Sequence, residues 1–303
     1  MQLPLVSVVI PTRNRSHLLR EALQSVFKQT FQDIEIIVVD DASTDDTQSV
    51  VQELSNDERV RYIKHCARRG GAIARNTGIH LSRGRYIALL DDDDIWLISD
   101  KLEKQIAVFE KGPPEIGVVY GGYHELDIKS GRIIRTMVPK KRGDIHRDIM
   151  WKNWIGTSTV LIRKECFECC GLFDEKLPSA QDRDLWIRIS RRFYFDYIED
   201  ICAIYRLHPV RISTNIHARI IGREYMLNKH YDELRYMPKV LARWYIALGH
   251  MYFAAGSKVD ALRYFKQAIH ACPTYPTAAI WWLATRCGLY QLLRRVRLSI
   301  NIR

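Results

Sequence analysis

Asp91, Asp92, Asp93 and Asp94 stand in a row behind the apolar run Tyr86-Ile87-Ala88-Leu89-Leu90 and ahead of Ile95-Trp96. Four successive carboxylates repel one another, and each resists ionisation unless a cation lies near. On an extended strand alternate residues share a face, so Asp91 and Asp93 are expected to point together into one cleft. A hard divalent cation, its shell completed by diphosphate oxygens, would neutralise them. The plain alternative is a solvated acidic turn, against which the apolar residues on both sides argue. A second acidic pair, Asp40-Asp41, follows the apolar run Ile34 to Val39. It reads either as a second part of the same cleft or as an acidic helix start.

The elements that must position these residues alternate. Val6-Ser7-Val8-Val9-Ile10 predicts a buried strand closed by Pro11. Ser16 to Lys28 carries Leu18, Leu19, Ala22, Leu23, Val26 and Phe27 at helical spacing, with Ser16 as N-cap. Strands over Ile34 to Val39, Val60 to His65 and Tyr86 to Leu90 then alternate with helices over Thr44 to Leu54 and Gly71 to Leu81. That order builds a parallel sheet with crossover helices. Both acidic clusters fall just past strand ends, where open α/β sheets bind ligands. From about Gly112 the pattern is mixed: strands at Val118 to Tyr120, Ser158 to Ile162 and Tyr194 to Tyr205, a basic loop over Pro139 to Arg142, and a helix over Asp182 to Arg192. After Ser213 only helices are expected.

Composition sets the bounds. The chain has 303 residues, 47% hydrophobic and 27% charged, enough for one or two domains with real cores. The net charge of +11 is uneven: from Ile201 onward there are 16 Lys/Arg against four Asp/Glu, while the first 200 residues are nearly neutral. A basic tail on a neutral body suits an anionic partner, or is simply a solvated basic surface. Seven cysteines without regular spacing point to a reducing compartment, and Cys166, Cys169 and Cys170 lack a second pair at zinc-ligand spacing. No secretory leader is expected from Met1 to Val6, and no apolar run reaches the roughly 18 residues of a spanning helix.

Several ordered stretches resemble the family 2 glycosyltransferases, which have a GT-A-type fold. They are Ser7-Val8-Val9-Ile10-Pro11-Thr12-Arg13-Asn14, Ile37-Val38-Val39-Asp40-Asp41-Ala42-Ser43, Ala74-Arg75-Asn76-Thr77-Gly78 and the run from Tyr86 to Trp96. Thr157 to Arg163, Gly171-Leu172-Phe173-Asp174-Glu175 and Gln181-Asp182-Arg183-Asp184-Leu185-Trp186 continue the match to about residue 213. The expected fold is thus α/β: a GT-A-type open, mostly parallel sheet flanked by helices over 1–213, then a small all-helical domain over 214–303.

The resemblance also implies roles. Pro11, Thr12 and Asn14 would line the nucleotide pocket, Asp40 would hydrogen-bond the base, and Arg75 would approach the nucleotide. Asp91, with Asp92 beside it, would lie near ribose and diphosphate. Asp93 and His208, the latter in Tyr205-Arg206-Leu207-His208, would complete a Mn²⁺ or Mg²⁺ site, and Asp182 would be the general base. Two departures stand out: Gln181 replaces the usual Glu before the base, and Asp92 fills the variable middle of Asp-x-Asp. The chemistry is coherent. Charge gathering on a departing diphosphate calls for a cation, and the incoming hydroxyl needs a carboxylate to take its proton. A single base opposite the leaving group inverts the anomeric centre. The expected partners are a nucleoside-diphosphate sugar, UDP-linked by preference, and a glycan or lipid-linked acceptor, with no nucleic acid. Two rival readings are a nucleotidyltransferase on the same fold and a non-catalytic nucleotide-sugar-binding scaffold.

The last third adds two patterns. Tyr245, Leu248, Gly249, Tyr252, Ala261, Phe265, Ala268 and Pro273 match one tetratricopeptide-like hairpin, at about 242–275. Beyond it, Trp281 and Trp282 with Arg286, Arg294, Arg295 and Arg297 suit either an interfacial helix on anionic lipid or a buried helix with a basic outer face. The expected location is the cytoplasm, at most peripheral on the inner face of its membrane.

Overall fold

The computed structural model describes residues 3–54, 57–208 and 215–300, with backbone alone for 296–300. Among these described residues nine strands form one sheet: β1 (Val6–Thr12), β2 (Ile34–Asp40), β3 (Val60–Lys64), β4 (Tyr86–Leu89), β5 (Asp94–Trp96), β6 (Ile116–Asp127), β7 (Arg132–Met137), β8 (Leu161–Arg163) and β9 (Tyr194–Leu207). Their order is β3-β2-β1-β4-β8-β6-β9-β5, with β7 paired to β6. The pairing is parallel from β3 to β4 and mixed beyond. Seven helices accompany the sheet: α1 (Ser16–Phe27), α2 (Thr47–Leu54), α3 (Gly71–Leu81), α4 (Lys101–Lys111), α5 (His146–Trp151), α6 (Lys164–Cys170) and α7 (Gln181–Ile189).

β1 and β2 are buried along their whole length, which is why they read as unbroken apolar runs. β1 does not stop at Pro11. Its ladder with β4 ends at Val9↔Leu89, so the missing proline N–H leaves no partner on that side wanting, and β1 continues beside β2 to Thr12↔Asp40. α3 lies close enough to this sheet that a Cβ on Gly78 would come within 2.3 Å of Val9. Ser16 is not an N-cap: it is the first helical residue, and its N–H donates to the Asp45 carboxylate at 3.0 Å. The expected strand at Ser158 is instead a short 3-10 turn, Thr157–Thr159, ahead of β8. The β6–β7 hairpin and β5 were not anticipated.

The remainder is helical: α8 (Ile216–Lys229), α9 (Tyr231–Leu234), α10 (Pro238–Ala254), α11 (Lys258–Ala271), α12 (Pro276–Arg286) and α13 (Tyr290–Ile300). α10 and α11 make the anticipated hairpin. Ala261, Phe265 and Ala268 are buried, and a Cβ on Gly249 would meet the Phe265 ring at 2.5 Å. Trp281 is a core residue, packed edge-on to His250 at 4.4 Å between ring centroids, so it is not at the surface that an interfacial reading required. The side chain of Arg297 lies outside the described residues. Among the described residues no helix is long and apolar enough to cross a membrane.

By contacts the chain forms two compact units. One is Met1–Glu175 with Gln181–Pro209; the other is Lys176–Ala180 with Val210–Arg303. The boundary expected at 213/214 falls in residues 209–214, outside the described ones.

Candidate active site

β4 delivers the chain to the acidic run at the carboxyl edge of the sheet. The run is a turn and not a strand: Asp94 N–H donates to the Asp91 carbonyl at 3.0 Å, and β5 begins at Asp94 by pairing Asp94↔Tyr205 with β9. Face alternation therefore does not govern these side chains. Asp91, Asp93 and Asp94 come together, each offering a carboxylate oxygen within 4.8 Å of the others. Asp92 turns away and accepts from the Thr12 hydroxyl at 2.8 Å, the Arg13 N–H at 3.3 Å and the Arg15 guanidinium at 2.9 Å. It ties down the loop after β1, while Asp94, which the sequence reading left out, takes a place in the cluster.

Ser158 is the hub beneath. Its hydroxyl accepts from the Asp91 N–H at 3.1 Å and donates to Asp94 at 2.5 Å. Its own N–H donates to the Tyr205 hydroxyl at 2.8 Å, and its carbonyl accepts from the Trp96 indole at 2.8 Å. Arg206 donates from Nε to the Asp93 carbonyl at 2.6 Å and pairs with Glu21. Nothing in the spacing of Ser158, Arg15 or Arg206 announced these contacts; they arise from loops and strands meeting in space. Asp94 did carry a signal, the unbroken run of four.

The electrostatics of the cluster follow from burial. Asp92 is pushed up to about 6, with Arg15 opposing the shift. Burial raises Asp93 as well, helped by Asp91 and opposed by Arg15 and His208, so His208 stands within electrostatic reach of Asp93. Asp94 is raised well above the usual carboxylate range, by burial and then by Asp93 and Asp91. Two guanidiniums offset part of this charge: Arg15 reaches Asp93 at 2.8 Å and Arg75 reaches Asp91 at 2.5 Å. Three oxygen-donor carboxylates so placed, still short of positive charge, fit a hard divalent cation.

Asp182 opens α7, and the Asn153 amide donates to its carboxylate at 2.8 Å. It is partly exposed; burial raises it, while Arg183, Arg75 and Asn153 oppose. Arg75 feels both Asp91 and Asp182, which brings the expected base to the cluster.

The residues expected on the nucleotide side are tied together mainly around the ends of β1 and β2, with Thr12 reaching Asp92. Asn14, at φ 52°, accepts from the Thr44 N–H at 2.8 Å, and its own N–H donates to Ser43 at 2.9 Å. Pro11 is buried in β1. Asp40 is wholly buried; it accepts from the Ser43 N–H at 2.7 Å and from the Tyr62 hydroxyl. Asp41, named in the sequence only as the second member of an acidic pair, binds His65 at 3.0 Å and the N–H groups of Arg69 and Gly70 at 2.7 and 2.8 Å, fixing the entry to α3 and hence to Arg75.

Residues 7–170 match the family model for glycosyl transferase family 2. A glycosyltransferase of Rickettsia felis without an assigned activity is 34% identical over 217 residues, covering 70% of this chain but 36% of its own length. The chain thus spans about a third of that relative. Escherichia coli UDP-Glc:alpha-D-GlcNAc-diphosphoundecaprenol beta-1,3-glucosyltransferase WfgD is 33% identical over 264 residues, covering 86% of this chain and 96% of that protein. Among solved structures, residues 1–349 of S. aureus TarS in complex with UDP-GlcNAc align with a TM-score of 0.65 at 17% identity, covering 98% of this chain and 91% of that one. Mannosyltransferase PcManGT from Pyrobaculum calidifontis, in complex with GDP-Man and Mn²⁺, aligns at 0.59 with 20% identity, covering 97% and 83%. At these identities the two structures speak for the fold.

Proposed function

The chain belongs to glycosyl transferase family 2, and on that premise we propose that it is an inverting, divalent-cation-dependent transferase moving a sugar from a nucleoside-diphosphate donor to an acceptor hydroxyl. The carrying observation is the convergence of Asp91, Asp93 and Asp94 on one point, with Arg75 between them and Asp182. UDP-linked donors are favoured by the E. coli relative and by the complex of TarS with UDP-GlcNAc, and Mn²⁺ or Mg²⁺ by the complex of PcManGT.

In this reading Asp91, Asp93, Asp94 and His208 hold the cation, which when bound stabilises the negative charge of a departing diphosphate. Arg75, paired with Asp91, supplies a second positive charge on that side. Asp182 accepts the acceptor's proton. Burial makes its carboxylate more basic than an exposed one, and Asn153 fixes its orientation. Gln181, beside it, adds no further negative charge to the site. The ends of β1 and β2, carrying Pro11, Thr12 and Asp40, and the loop carrying Asn14 line the nucleotide side, with Asp92 bracing the loop after β1. The acceptor is a glycan or a lipid-linked saccharide, as the name of the E. coli relative suggests. α12 and α13 offer a peripheral membrane contact through exposed Ile280, Leu283, Leu289 and Leu292, with Arg286, Arg294 and Arg295 beside them.

A panel of nucleotide sugars with Mn²⁺ or Mg²⁺, read by thermal stabilisation and then by release of nucleoside diphosphate, tests this reading. The donor should raise stability only with the ion present. Release of pyrophosphate from a nucleoside triphosphate and a sugar phosphate would instead mark a nucleotidyltransferase. Donor and ion binding without transfer or hydrolysis would mark a scaffold.

A further inference from the structure

We propose that the β6–β7 hairpin is a docking element for an anionic lipid bilayer. Beyond Tyr123, β6 is paired on one side by β9 and on the other by β7, and among the described residues β7 has no second neighbour in the sheet. β7 is exposed along nearly its whole length. Ile133 and Ile134 are 53% and 59% exposed; Ile133 pairs with Leu126 and Arg135 with Glu125, so Ile134 is the extra residue of a bulge, where strict alternation of faces lapses. Ile128 and Val138 add 41% and 50%. Four large aliphatic side chains left open on one arm form a patch of the kind that marks an interaction surface.

Charge selects the partner. From Asp127 to Arg142 the sequence holds six Lys/Arg and a single acid. Some of these bases are engaged locally: Arg135 with Glu125 at 3.4 Å, Lys141 with Asp148 at 3.2 Å and Arg142 with Asp196 at 3.4 Å. Lys129, Arg132 and Lys140 are exposed and surround the apolar residues. Aliphatic side chains ringed by bases are the composition that enters the headgroup layer of an anionic membrane. A protein partner is the weaker match, because a strand edge flanked by Arg132 and Arg135 repels a second copy of itself.

The hairpin is rooted at the active site. Tyr123, paired with Met137 at its base, packs at a tilt of 47° against Tyr205 with 4.4 Å between ring centroids, and Tyr205 is the residue that receives the Ser158 N–H. The charges of Asp182 and Asp94 both reach the Tyr123 phenol. The root of the arm thus lies within electrostatic reach of Asp94 and Asp182, so a bilayer held by the arm would stand near the proposed base. The lipid-linked acceptor of the reading above is the substrate that would profit, but docking itself can be measured without any turnover.

The full chain is mixed with phosphatidylcholine vesicles, with and without phosphatidylglycerol, and co-sedimentation is measured at low salt. Binding to the anionic vesicles alone is expected. Ile133→Ser with Ile134→Ser should weaken it on the order of tenfold or more. Lys129→Gln, Arg132→Gln and Lys140→Gln together should weaken it on the order of a hundredfold. Both variants should keep the wild-type melting temperature and turnover on a soluble acceptor, so failure of docking and failure of the catalytic reading separate. Unchanged vesicle binding in both variants would overturn the proposal in favour of another contact, such as α12 and α13. So would absence of binding, or a dimer in sedimentation velocity that the isoleucine changes dissolve.

Discussion

At the scale of single residues, Asp93 and Asp182 divide the work of the proposed reaction. Asp93→Ala removes a carboxylate oxygen from the cluster and leaves Arg15 paired with Asp92 alone, so the variant should fold, bind Mn²⁺ poorly by calorimetry and lose transfer. Undiminished transfer in metal-free buffer would end the cation role. Asp182→Asn keeps the shape and the Asn153 neighbour but takes no proton. Transfer should fall about 10²–10⁴-fold with donor affinity retained. Loss of donor binding with transfer intact would move Asp182 to the nucleotide pocket. The run Asp91 to Asp94 was legible because four successive carboxylates cannot hide in a sequence, whereas Asp182 stands out only through the family resemblance of Gln181-Asp182-Arg183-Asp184-Leu185-Trp186. Which oxygens converge was not legible, because that depends on a turn whose hydrogen bond, from Asp94 back to Asp91, leaves no mark in residue type. Asp92 was accordingly misjudged and Asp94 overlooked. Ser158 and Tyr205 were out of reach for a related reason: a hydroxyl becomes a hub only through distant partners.

At the scale of elements, the parallel half of the sheet was the readable half. α3 runs from Gly71 to Leu81 as its spacing required, and β1 and β2 declare themselves through apolar runs buried on both faces. β7 hides because its side chains are exposed and show no one-sided pattern, and β5 because three residues beginning with Asp94 carry no apolar period. α4 holds a residue with a measurable consequence. Lys101 is wholly buried, with its ammonium 4.2 Å from the centre of the Trp96 ring and donating to Gln105 at 2.8 Å. Gln105 in turn donates to the carbonyls of Val119 and Thr159, next to Ser158. Burial brings the Lys101 ammonium down to about 8 from 10.5. The unfolded chain thus holds this proton where the folded chain has released it, so stability should rise with pH between about 8 and 10.5. Lys101→Met should flatten that rise by up to about 3 kcal/mol relative to the parent, in urea titrations across that range. Identical slopes in the two proteins would place the charge elsewhere.

At the scale of the whole molecule, composition already foretold a neutral α/β unit and a basic helical one, but not their connectivity. Lys176–Ala180 leaves the first unit, belongs by its contacts to the second, and returns one residue before Asp182. Five residues without periodicity cannot reveal such an excursion. Its anchor is close: the Ser179 hydroxyl donates to the Ala218 carbonyl at 3.1 Å, and a Cβ on Gly222 would stand 2.4 Å from the Ser179 Oγ and 3.0 Å from its carbonyl oxygen. Gly222→Ala should therefore lower stability by about 1–3 kcal/mol through overpacking, seen as a lower melting temperature. A variant as stable as the parent would show that the segment gives way freely. The excursion also bears on how such a molecule can be recombined. A catalytic unit joined to its helical partner by one linker can be exchanged as a cassette at a single splice. This chain needs two: a swap made only near residue 210 would keep a short guest segment cut for the old partner, just upstream of the proposed base. Shuffling of helical tails among relatives should therefore succeed only when residues 176–180 travel with the tail.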